Sequence, residues 1–450
     1  MRRIINVMNV YLPLIWVGVG ILLLIVFNLK FKMHNLISLT LVAIIVGILE
    51  KMKIGSLVTT LQKGLGSTLG ALALIVVFGA IIGKLMIESG ASQKIANTII
   101  DKFGIKYLPW GLLIIGVIFG MSMFYEVAFL ITAPLVVSIA REAKIPYMKL
   151  VIPTVAGATM GHSLFPPQPG PMALVTAFNV DIGQVYILGL IVIIPAIIFS
   201  GIVLPKLLGK LDMPISNQLK APKEFLEEDL PSFGVSILVP LIPAILMIST
   251  TIFKLFVSKD SQFYGIINFL GSADISMLIA VLVAMYVFGT RRGMDGKKIA
   301  DHMTNAISGV SNVLLVISAG GAFKQVLLDS GVGKDIVIMM QHSNLSPLIF
   351  AWIITAIIRI ITGQGAVAAI TVAGIMQPMI GAVSVNPVLM LLAIACGSNT
   401  ITLMYDGGFL LFKETFGISM KDTFKTWGLL ELTNSVIGLV VCLLLNLVIR

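Results

Sequence analysis

Residues 347–405 read PLIFAWIITAIIRIITGQGAVAAITVAGIMQPMIGAVSVNPVLMLLAIACGSNTITLMY and contain one charged side chain, Arg359. Two further stretches, Tyr107–Ala140 and Leu150–Pro205, also hold a single charged residue each. A helix rises about 1.5 Å per residue, so even Tyr107–Ala140 would extend about 50 Å, against a bilayer core of about 30 Å. Each stretch therefore has to double back or break inside a membrane.

The composition supports a membrane protein over the whole chain. Apolar residues make up 58% of its 450 residues and charged residues only 12%, about half the share in soluble domains. A soluble fold could not hide that much apolar surface. Long apolar runs recur from end to end, for example Tyr11–Leu29, Gly64–Gly83, Met303–Phe323 and Leu429–Ile449. The sequence predicts an all-α integral protein of the cytoplasmic (inner) membrane with about 12 membrane segments.

The charges and cysteines exclude several other classes. The net charge of +10 favours cationic loops that fix the spans by the positive-inside rule over a nucleic-acid surface. Arg2 and Arg3 precede an apolar run without a small-residue cleavage site, which indicates an uncleaved first span. Cys396 and Cys442 fall inside apolar segments and indicate neither a disulfide nor a metal site. We expect no nucleic-acid partner, no cofactor and no metal.

Glycine and proline mark the points where helices are predicted to break. These points are Gly120, the run Pro166-Pro167-Gln168-Pro169-Gly170-Pro171, Gly363 with Gly365, and Gly407 with Gly408. Irregular backbone at membrane depth is tolerated only where protein buries it or where it lines a wet cavity. We therefore predict one binding site where four segments converge. The segments are Gly120–Glu126, His162–Pro171, Thr362–Val367 and Gly397–Gly408.

A weak internal repeat divides the chain. Phe78–Ala96 aligns with Ala319–Val337 at an offset of 241 residues, which places Glu88-Ser89-Gly90 on Asp329-Ser330-Gly331. The predicted units are a first repeat at residues 1–205, a polar linker at 206–231 and a second repeat at 232–450.

The loop charges predict that the two repeats have opposite orientations. Lys and Arg number three in residues 88–106, three in 141–149 and none in 177–184. In the matching loops 329–346, 379–387 and 413–425 they number one, none and three. This reversal is typical of an inverted-topology repeat. The cluster Arg291-Arg292 places its own loop in the cytoplasm.

Arg359 is the most informative single residue. A guanidinium cannot lose its proton, so at membrane depth it needs an anionic partner or a wet cavity. Two hypotheses stay open. Arg359 is either a bidentate clamp on a substrate carboxylate or part of a fixed ion pair with Glu126 or Asp406.

Three titratable residues are candidates for ion coupling. Glu126 lies in the middle of an apolar stretch, which suits a proton-coupling carboxyl, or it pairs with Arg359 for assembly. Asp406 precedes two glycines and could hold a cation, carry a proton or cap the following half-helix. His162 is either a proton relay or an ordinary core histidine.

Short polar side chains complete the predicted substrate contacts. Ser398, Asn399 and Thr400 can hydrogen-bond hydroxyls and carboxylates, or they satisfy their own broken backbone. Gln168, Ser122 and Gln364 are the other predicted contacts at the breaks. The remaining histidines are assigned to loops without a role: His34, His302 and His342.

The sequence predicts a transporter and not an enzyme. It contains no Walker A loop, no His-Glu-x-x-His and no Gly-x-Ser-x-Gly. We expect a secondary transporter for a small anionic metabolite that works by alternating access. A membrane-embedded enzyme and a passive channel are the rival classes, and uphill flux that saturates would separate the transporter from both.

Several motifs together resemble a known family. They are Phe124-Tyr125-Glu126-Val127-Ala128-Phe129, Phe165–Pro171, Arg359 with Gly363–Ala366, Asp406-Gly407-Gly408-Phe409, and the tail motifs Lys413-Glu414-x-Phe416-Gly417 and Lys425-Thr426-Trp427. In this combination the chain is similar to the gluconate permeases of the GntP type, within the ion transporter superfamily. The resemblance implies proton-coupled uptake of gluconate or a related small hydroxy or amino acid. It also implies two inverted repeats, each with a re-entrant hairpin and an unwound helix.

The chain departs from this resemblance at two places in the predicted site. Gln168 stands where many members have a histidine between the prolines, and residues 402–405 (Thr-Leu-Met-Tyr) stand where many have Ser-His-x-Asn. D-serine or another small carboxylate therefore stays open as a substrate. Few acidic residues favour H⁺ as the coupling ion, although backbone carbonyls alone can hold Na⁺. The sequence does not decide whether two copies form a homodimer.

Overall fold

The computed structural model describes residues 15–24, 26–142, 144–209, 213, 225–254, 256–258, 260–332, 337, 345–401 and 406–449. In these residues every regular element is a helix, and the one β-type pairing is an isolated bridge between Ile380 and Val383. The all-α prediction is confirmed for this part of the chain. Arg2, Arg3 and most of the predicted linker, residues 210–212 and 214–224, lie outside the described residues.

The helices follow one another with short connections. Those of the first half are α1 (Ile15–Leu24), α2 (Asn35–Leu49), α3 (Ile54–Glu88), α4 (Ala91–Ser122), α5 (Tyr125–Glu142), α6 (Met148–Leu164), α7 (Pro169–Phe178), α8 (Ile182–Ile198) and α9 (Leu204–Leu207). Those of the second half are α10 (Phe233–Phe253), α11 (Gln262–Leu270), α12 (Ala273–Ala284), α13 (Gly296–Asp329), α14 (Pro347–Thr362), α15 (Gly365–Met376), α16 (Pro387–Gly397), α17 (Gly407–Phe416), α18 (Met420–Thr423) and α19 (Leu429–Val448). Short π-helical turns lie at Val26–Lys30, Phe199–Val203, Met285–Gly289 and Phe424–Gly428.

The helices have the length and composition of membrane spans. Among the described residues, seven helical segments are long and apolar enough to cross a bilayer, and six more apolar helices have 10–17 residues. The six shorter helices are not long enough to cross a bilayer by themselves. The chain is therefore a multi-pass membrane protein, and the count of about 12 segments stays a prediction.

Three of the four predicted helix breaks lie where glycine and proline indicated them. Residues 165–168, with Pro167, separate α6 from α7. Helix α16 ends at Gly397 and α17 begins at Gly407. Gly363 ends α14 in a left-handed conformation (φ +67°), and its N–H donates to the carbonyl of Arg359. Gly170, Gly365, Gly407 and Gly408 all fall in the first turn of the helix that follows a break.

The predicted break at Gly120 is wrong. Helix α4 continues to Ser122, and the chain leaves the helix at Met123 and Phe124 before α5 begins. A Cβ atom on Gly120 would lie 2.1 Å from the carbonyl oxygen of Ala158 in α6. Gly120 therefore allows two helices to pack closely.

Four glycines make the contact between α4 and α6 possible. Gly116 and Gly120 lie on α4, four residues apart, and Gly157 and Gly161 have the same spacing on α6. A Cβ on Gly157 would lie 2.3 Å from the carbonyl oxygen of Leu113. Small residues at this spacing let helix backbones approach in membranes, where the lipid gives little hydrophobic drive for association.

The two longest helices, α3 and α13, lie antiparallel against each other. Near the start of α3, the Thr60 hydroxyl donates to Asp329 Oδ2 at the end of α13, over 3.0 Å. Near the end of α3, Glu88 Oε2 lies 4.0 Å from His302 Nε2 near the start of α13. His302 was assigned to a loop from sequence, but it lies near the start of α13, a helix that packs against α2, α3 and α15.

Asp181, the single charged residue of Leu150–Pro205, has a structural role. Its Oδ1 accepts hydrogen bonds from the Gln184 N–H at 3.1 Å and from the Thr251 hydroxyl at 2.6 Å, which caps α8 and joins it to α10. Lys254 Nζ lies 3.5 Å from Oδ2. Because these partners satisfy the carboxylate, no transport role is needed to explain it.

We expect Gly157→Ala to destabilise the protein, because the new methyl group has no space against α4. The expected loss is about 1–3 kcal/mol, as for other overpacked cores. The measurement is the thermal midpoint of the purified protein in detergent. Gly66→Ala in α3 is the control, because a Cβ there meets nothing within 4 Å. Equal midpoints for the two variants would contradict the packing role of Gly157.

Candidate functional site

A cavity of about 590 Å³ lies where the helix breaks meet. This volume is within the usual range of small-molecule sites. The breaks contribute Met123–Glu126, His162 and Ser163, Pro169–Pro171, Arg359 with Gly363–Ala366, Ser398 and Asn399, and Asp406–Gly408. Lys84 of α3, Asn305 of α13 and Glu431 of α19 also line it. The structure therefore brings together the four segments predicted from sequence.

The starts of four helices line this cavity. Helices α5, α7, α15 and α17 all begin at a break, and first-turn residues of each contribute to the wall. Helix N-termini carry partial positive charge and unpaired N–H groups. Pro169 and Pro171 remove two of these donors from α7, so α15 and α17 offer the better anion sites. The backbone alone makes the cavity favourable for an anion.

Arg359 and Asp406 form a buried ion pair at the cavity wall. Arg359 Nη1 lies 2.7 Å from Asp406 Oδ2, and the two residues are 8% and 2% exposed. Asp406 Oδ1 also accepts from the Phe409 N–H at 2.7 Å and caps α17. Of the predicted partners of Arg359, the structure thus pairs it with Asp406.

The ion pair leaves part of the guanidinium available. Arg359 Nε is buried without a hydrogen-bond partner in the described part of the chain. An Arg presents five donors in a planar fork, so Asp406 and a second carboxylate can both be bound. Pairing with Asp406 and contact with a substrate are therefore compatible roles.

Several other buried polar atoms at the cavity wall also lack partners among the described residues. They are the Tyr125 hydroxyl, His162 Nδ1, Trp427 Nε1 and Glu431 Oε1. Buried polar groups are nearly always hydrogen-bonded in folded proteins, and each exception needs an explanation. Their concentration around one cavity indicates a place for polar ligand atoms or water.

Glu126 is exposed to the cavity in the first turn of α5. The described residues include no ion pair between it and Arg359, so the predicted assembly pair with Glu126 is not formed in this conformation. A carboxylate near a helix N-terminus is stabilised by the helix dipole.

Gln168 was predicted to contact the substrate, but its side-chain amide contacts the end of α4 and not the cavity. Gln168 Nε2 donates to the carbonyl oxygens of Gly120 and Met123, over 3.0 and 3.1 Å. These carbonyls belong to the end of α4, where the helix supplies no donors. Gln168 therefore satisfies a helix end and does not line the cavity.

The other predicted contacts divide into two groups. Ser398, Asn399 and Gln364 line the cavity, and Asn399 Oδ1 accepts from the Ser163 hydroxyl at 3.0 Å. Ser122 and Thr400 are buried and do not line it. The Ser122 hydroxyl donates to a carbonyl of its own helix. Residues 402–405, the second departure from the family pattern, lie outside the described residues.

Comparison with known proteins identifies the family. A sequence profile described as GntP family permease matches residues 12–448. The chain belongs to the GntP permease family. It is therefore a membrane transporter and not an enzyme, as the sequence predicted.

Three relatives show how closely this GntP permease resembles other members. It is 52% identical over 443 residues to a "High-affinity gluconate transporter" of Escherichia coli (strain K12), covering 97% of this chain and 99% of the relative. It is 39% identical to a "Gluconate permease" of Bacillus subtilis (strain 168) and 38% identical to the "Gnt-II system L-idonate transporter" of E. coli. These two alignments cover 97% and 98% of this chain and 100% of each relative.

Solved structures share the fold at low sequence identity. The YdaH transporter of Alcanivorax borkumensis superposes with a TM-score of 0.64 at 13% identity, over 88% of this chain and 89% of that chain. MtrF of Neisseria gonorrhoeae gives a TM-score of 0.63 at 15% identity, over 88% of this chain and 85% of that chain. At this identity the likeness establishes the fold of the permease alone.

Sequence reasoning missed several residues of the permease cavity. Glu431, Tyr125, Trp427 and Lys84 all line it and were not predicted as site residues. Glu431 had a usable signal, because it is an acid inside the apolar run Leu429–Ile449. A lone ionisable residue in a span is a functional candidate by default. Tyr125 and Trp427 stood in family motifs, but no rule separates such aromatic residues from ordinary packing.

Removing one charge of the Arg359–Asp406 pair is expected to destabilise the protein far more than removing both. Arg359→Met leaves a buried carboxylate unpaired, at a cost of about 3–5 kcal/mol. Arg359→Met with Asp406→Asn removes both charges and keeps an oxygen that caps α17, so most of the stability should return. The measurement is the thermal midpoint in detergent.

A surface pair serves as the control for this experiment. Lys413 and Glu414 form an ion pair in which the glutamate side chain is 69% exposed. Exposed pairs contribute about 0–1 kcal/mol, so Lys413→Met with Glu414→Gln should change little. If the thermal midpoint of the Arg359→Met single variant equalled that of the double variant, the expectation that an unpaired Asp406 is costly would be wrong.

Proposed function

We propose that this chain is a secondary active transporter, a proton symporter, that takes up gluconate or a closely related small sugar acid. The observation that carries the proposal is the buried Arg359, whose Nε lacks a partner among the described residues and whose side chain lines a cavity at four helix starts. A guanidinium edge and helix N-termini are suited to a carboxylate.

The other polar atoms of the cavity suit the hydroxyl groups of such a substrate. The Tyr125 hydroxyl can donate or accept, Trp427 Nε1 can only donate, and neutral His162 Nδ1 takes either role according to its tautomer. A sugar acid presents one carboxylate and several hydroxyls that both donate and accept. Binding it would pair groups that the described part of the protein leaves unpaired. A purely apolar acid would leave them unsatisfied, which is costly.

The relatives support the same class of substrate. The names of the three relatives above refer to gluconate or L-idonate, both polyhydroxy acids. The relative that is 52% identical covers almost the whole chain. These names favour a sugar acid over D-serine or another small carboxylate.

Two inverted repeats are proposed as the architecture. The starts of corresponding helices support it: Ile54 and Gly296 are separated by 242 residues, Tyr125 and Gly365 by 240, Met148 and Pro387 by 239, Pro169 and Gly407 by 238, and Ile182 and Met420 by 238. A nearly constant separation over five helix starts is expected for a duplicated unit. The proposed boundaries are residues 1–205 and 232–450, joined by the linker 206–231.

The contacts between α3 and α13 support an inversion. Thr60 and His302 are equivalent at the 242-residue separation, and Glu88 and Asp329 are equivalent at 241. Thr60 contacts Asp329, and His302 contacts Glu88, so equivalent residues make reciprocal contacts. Reciprocal contacts between antiparallel helices are what a two-fold axis in the membrane plane produces.

Alternating access is proposed as the mechanism, with the cavity as the central site. The pairs α4–α5 and α14–α15 would form re-entrant hairpins, and α6–α7 and α16–α17 would form the unwound helices. The loop of Arg291 and Arg292 lies in the cytoplasm in this scheme. Substrate bound between the two repeats would face each side in turn as one repeat moves against the other.

Labelled gluconate is expected to accumulate in proteoliposomes when the external solution is more acidic than the interior and sodium is absent. A protonophore should abolish the accumulation, and L-idonate should compete better than D-serine. Accumulation that requires Na⁺ would overturn proton coupling, and competition by D-serine alone would overturn the sugar-acid substrate. Liposomes without protein are the control.

Arg359→Lys is expected to raise the KM for gluconate, because an ammonium cannot reproduce the planar fork. Loss of one charge-assisted bond, about 1.5–3 kcal/mol, corresponds to roughly 10- to 150-fold. Lys413→Arg, at a residue that does not line the cavity, should leave KM unchanged. An unchanged KM in Arg359→Lys would remove Arg359 from the substrate site.

A further inference from the structure

Glu431 is a buried carboxyl of the cavity that has no assigned role. It lies near the beginning of α19, which continues without a break from the π-helical turn Phe424–Gly428, and it is 1% exposed. Its side chain lines the cavity, but Oε1 has no hydrogen-bond partner among the described residues. The Thr159 hydroxyl approaches the same carboxyl. Within the described chain, no Lys, Arg or His forms an ion pair with it.

We infer that Glu431 binds the proton that is transported together with the substrate. This inference rests on the proposed proton symport and names the group that performs it. An ionised carboxylate with one oxygen unpartnered and no ion-pair partner of its own among the described residues is very costly in a buried place, because the nearby Arg359 is already paired with Asp406. A carboxylic acid in the same position is neutral, and its O–H provides a donor. Glu431 can therefore be enclosed with a proton far more readily than without one.

Asp406 is less suited to carry the proton. Both of its oxygens are occupied, Oδ2 by Arg359 and Oδ1 by the Phe409 N–H. A proton on Asp406 would weaken the ion pair and leave Arg359 uncompensated. Its geometry is that of a permanent counter-ion.

Glu126 is also less suited, for a different reason. It is exposed to the cavity, and it lies at the N-terminus of α5. Access to the cavity and the helix dipole make its charged form less costly than a charged form of Glu431 would be. Glu431 is 1% exposed and lies inside the continuous helical segment Met420–Val448, so neither solvent exposure nor a helix start stabilises its charge.

The charged and titratable groups around Glu431 explain how the proton would be coupled to the substrate. The charged and titratable groups that line the same cavity are Arg359, Asp406, Glu126, Tyr125, His162 and Lys84. Lys84 is paired with Glu88, and Cys396 and Cys442 lie on the packed faces of α16 and α19. Arg359 is the buried cation among them, and Asp406 already balances its charge.

A substrate carboxylate and an ionised Glu431 would therefore compete for one guanidinium. Like charges in a poorly solvated cavity repel strongly. A proton that moves from water to the Glu431 carboxylate removes this competition, so anion and proton enter together. When the cavity opens on the other side, loss of the proton to water expels the anion. One anion and one proton would thus cross together, and no further titratable group is required.

The experiment compares two transport assays in proteoliposomes. Accumulation of labelled gluconate under a pH gradient requires proton movement, and exchange of external label with internal unlabelled gluconate does not. For Glu431→Gln we expect accumulation to be lost and exchange to continue within about twofold of wild type. For wild type, a gradient of one pH unit should give up to about tenfold accumulation. Glu50→Gln, a carboxyl that does not line the cavity, should behave as wild type.

The outcomes separate this inference from the proposed function. If wild type shows no accumulation driven by a pH gradient, proton symport itself is wrong. If wild type accumulates and Glu431→Gln does so equally, Glu431 is not the carrier. If a folded Glu431→Gln loses exchange as well, Glu431 binds substrate or holds the structure. An exchange-only phenotype in Glu126→Gln, with normal accumulation in Glu431→Gln, would assign the proton to Glu126.

A measurement on wild-type protein covers the case in which Glu431→Gln does not fold. Hydrophobic carbodiimides react with protonated carboxyls in apolar surroundings. We expect dicyclohexylcarbodiimide to label Glu431, with more label as the pH falls and with parallel loss of accumulation, detected by peptide mass spectrometry. Absence of label on Glu431 over this pH range, while other carboxyls react, would overturn the inference.

Discussion

Backbone that leaves a helix at membrane depth must find hydrogen-bond partners within the protein, and this constraint organises the molecule. The end of α4 is satisfied by the Gln168 amide, and the start of α17 is satisfied by Asp406. Once these ends are satisfied, the remaining helix starts face a common cavity with their positive ends inward. The site is thus a direct product of how the broken helices are completed.

In the proposed function, the Arg359–Asp406 ion pair connects this backbone arrangement to substrate recognition. Arg359 lies one turn before the break after α14, and Asp406 lies at the break before α17. The pair therefore joins two breaks that belong to different helices. A substrate carboxylate at the same guanidinium would share it with Asp406. In the proposed mechanism, substrate binding would therefore act directly on the contact that holds these two segments together.

Sequence reasoning located the fold class and the four segments of the site, because long apolar stretches with one charge and clusters of Gly and Pro have few physical solutions. It failed where one residue type serves two purposes. Gly120 packs against α6 and does not break α4, and only the facing helix shows this. Gln168 lies in the right segment, but the direction of its side chain depends on where α4 ends. Glu431 was overlooked because it is a single acidic residue in an otherwise apolar run, which was assigned as an ordinary membrane span.

The reciprocal contacts of α3 and α13 have one more consequence. A transporter whose halves were identical would have inward-facing and outward-facing forms of equal free energy, since a rotation would interchange them. Here the equivalent positions differ: a hydroxyl contacts Asp329 at one end, and an imidazole lies beside Glu88 at the other. If the two halves are inverted repeats, as proposed, this difference gives the two forms unequal free energies. The preferred resting orientation would then depend on these two contacts at opposite ends of the α3–α13 pair.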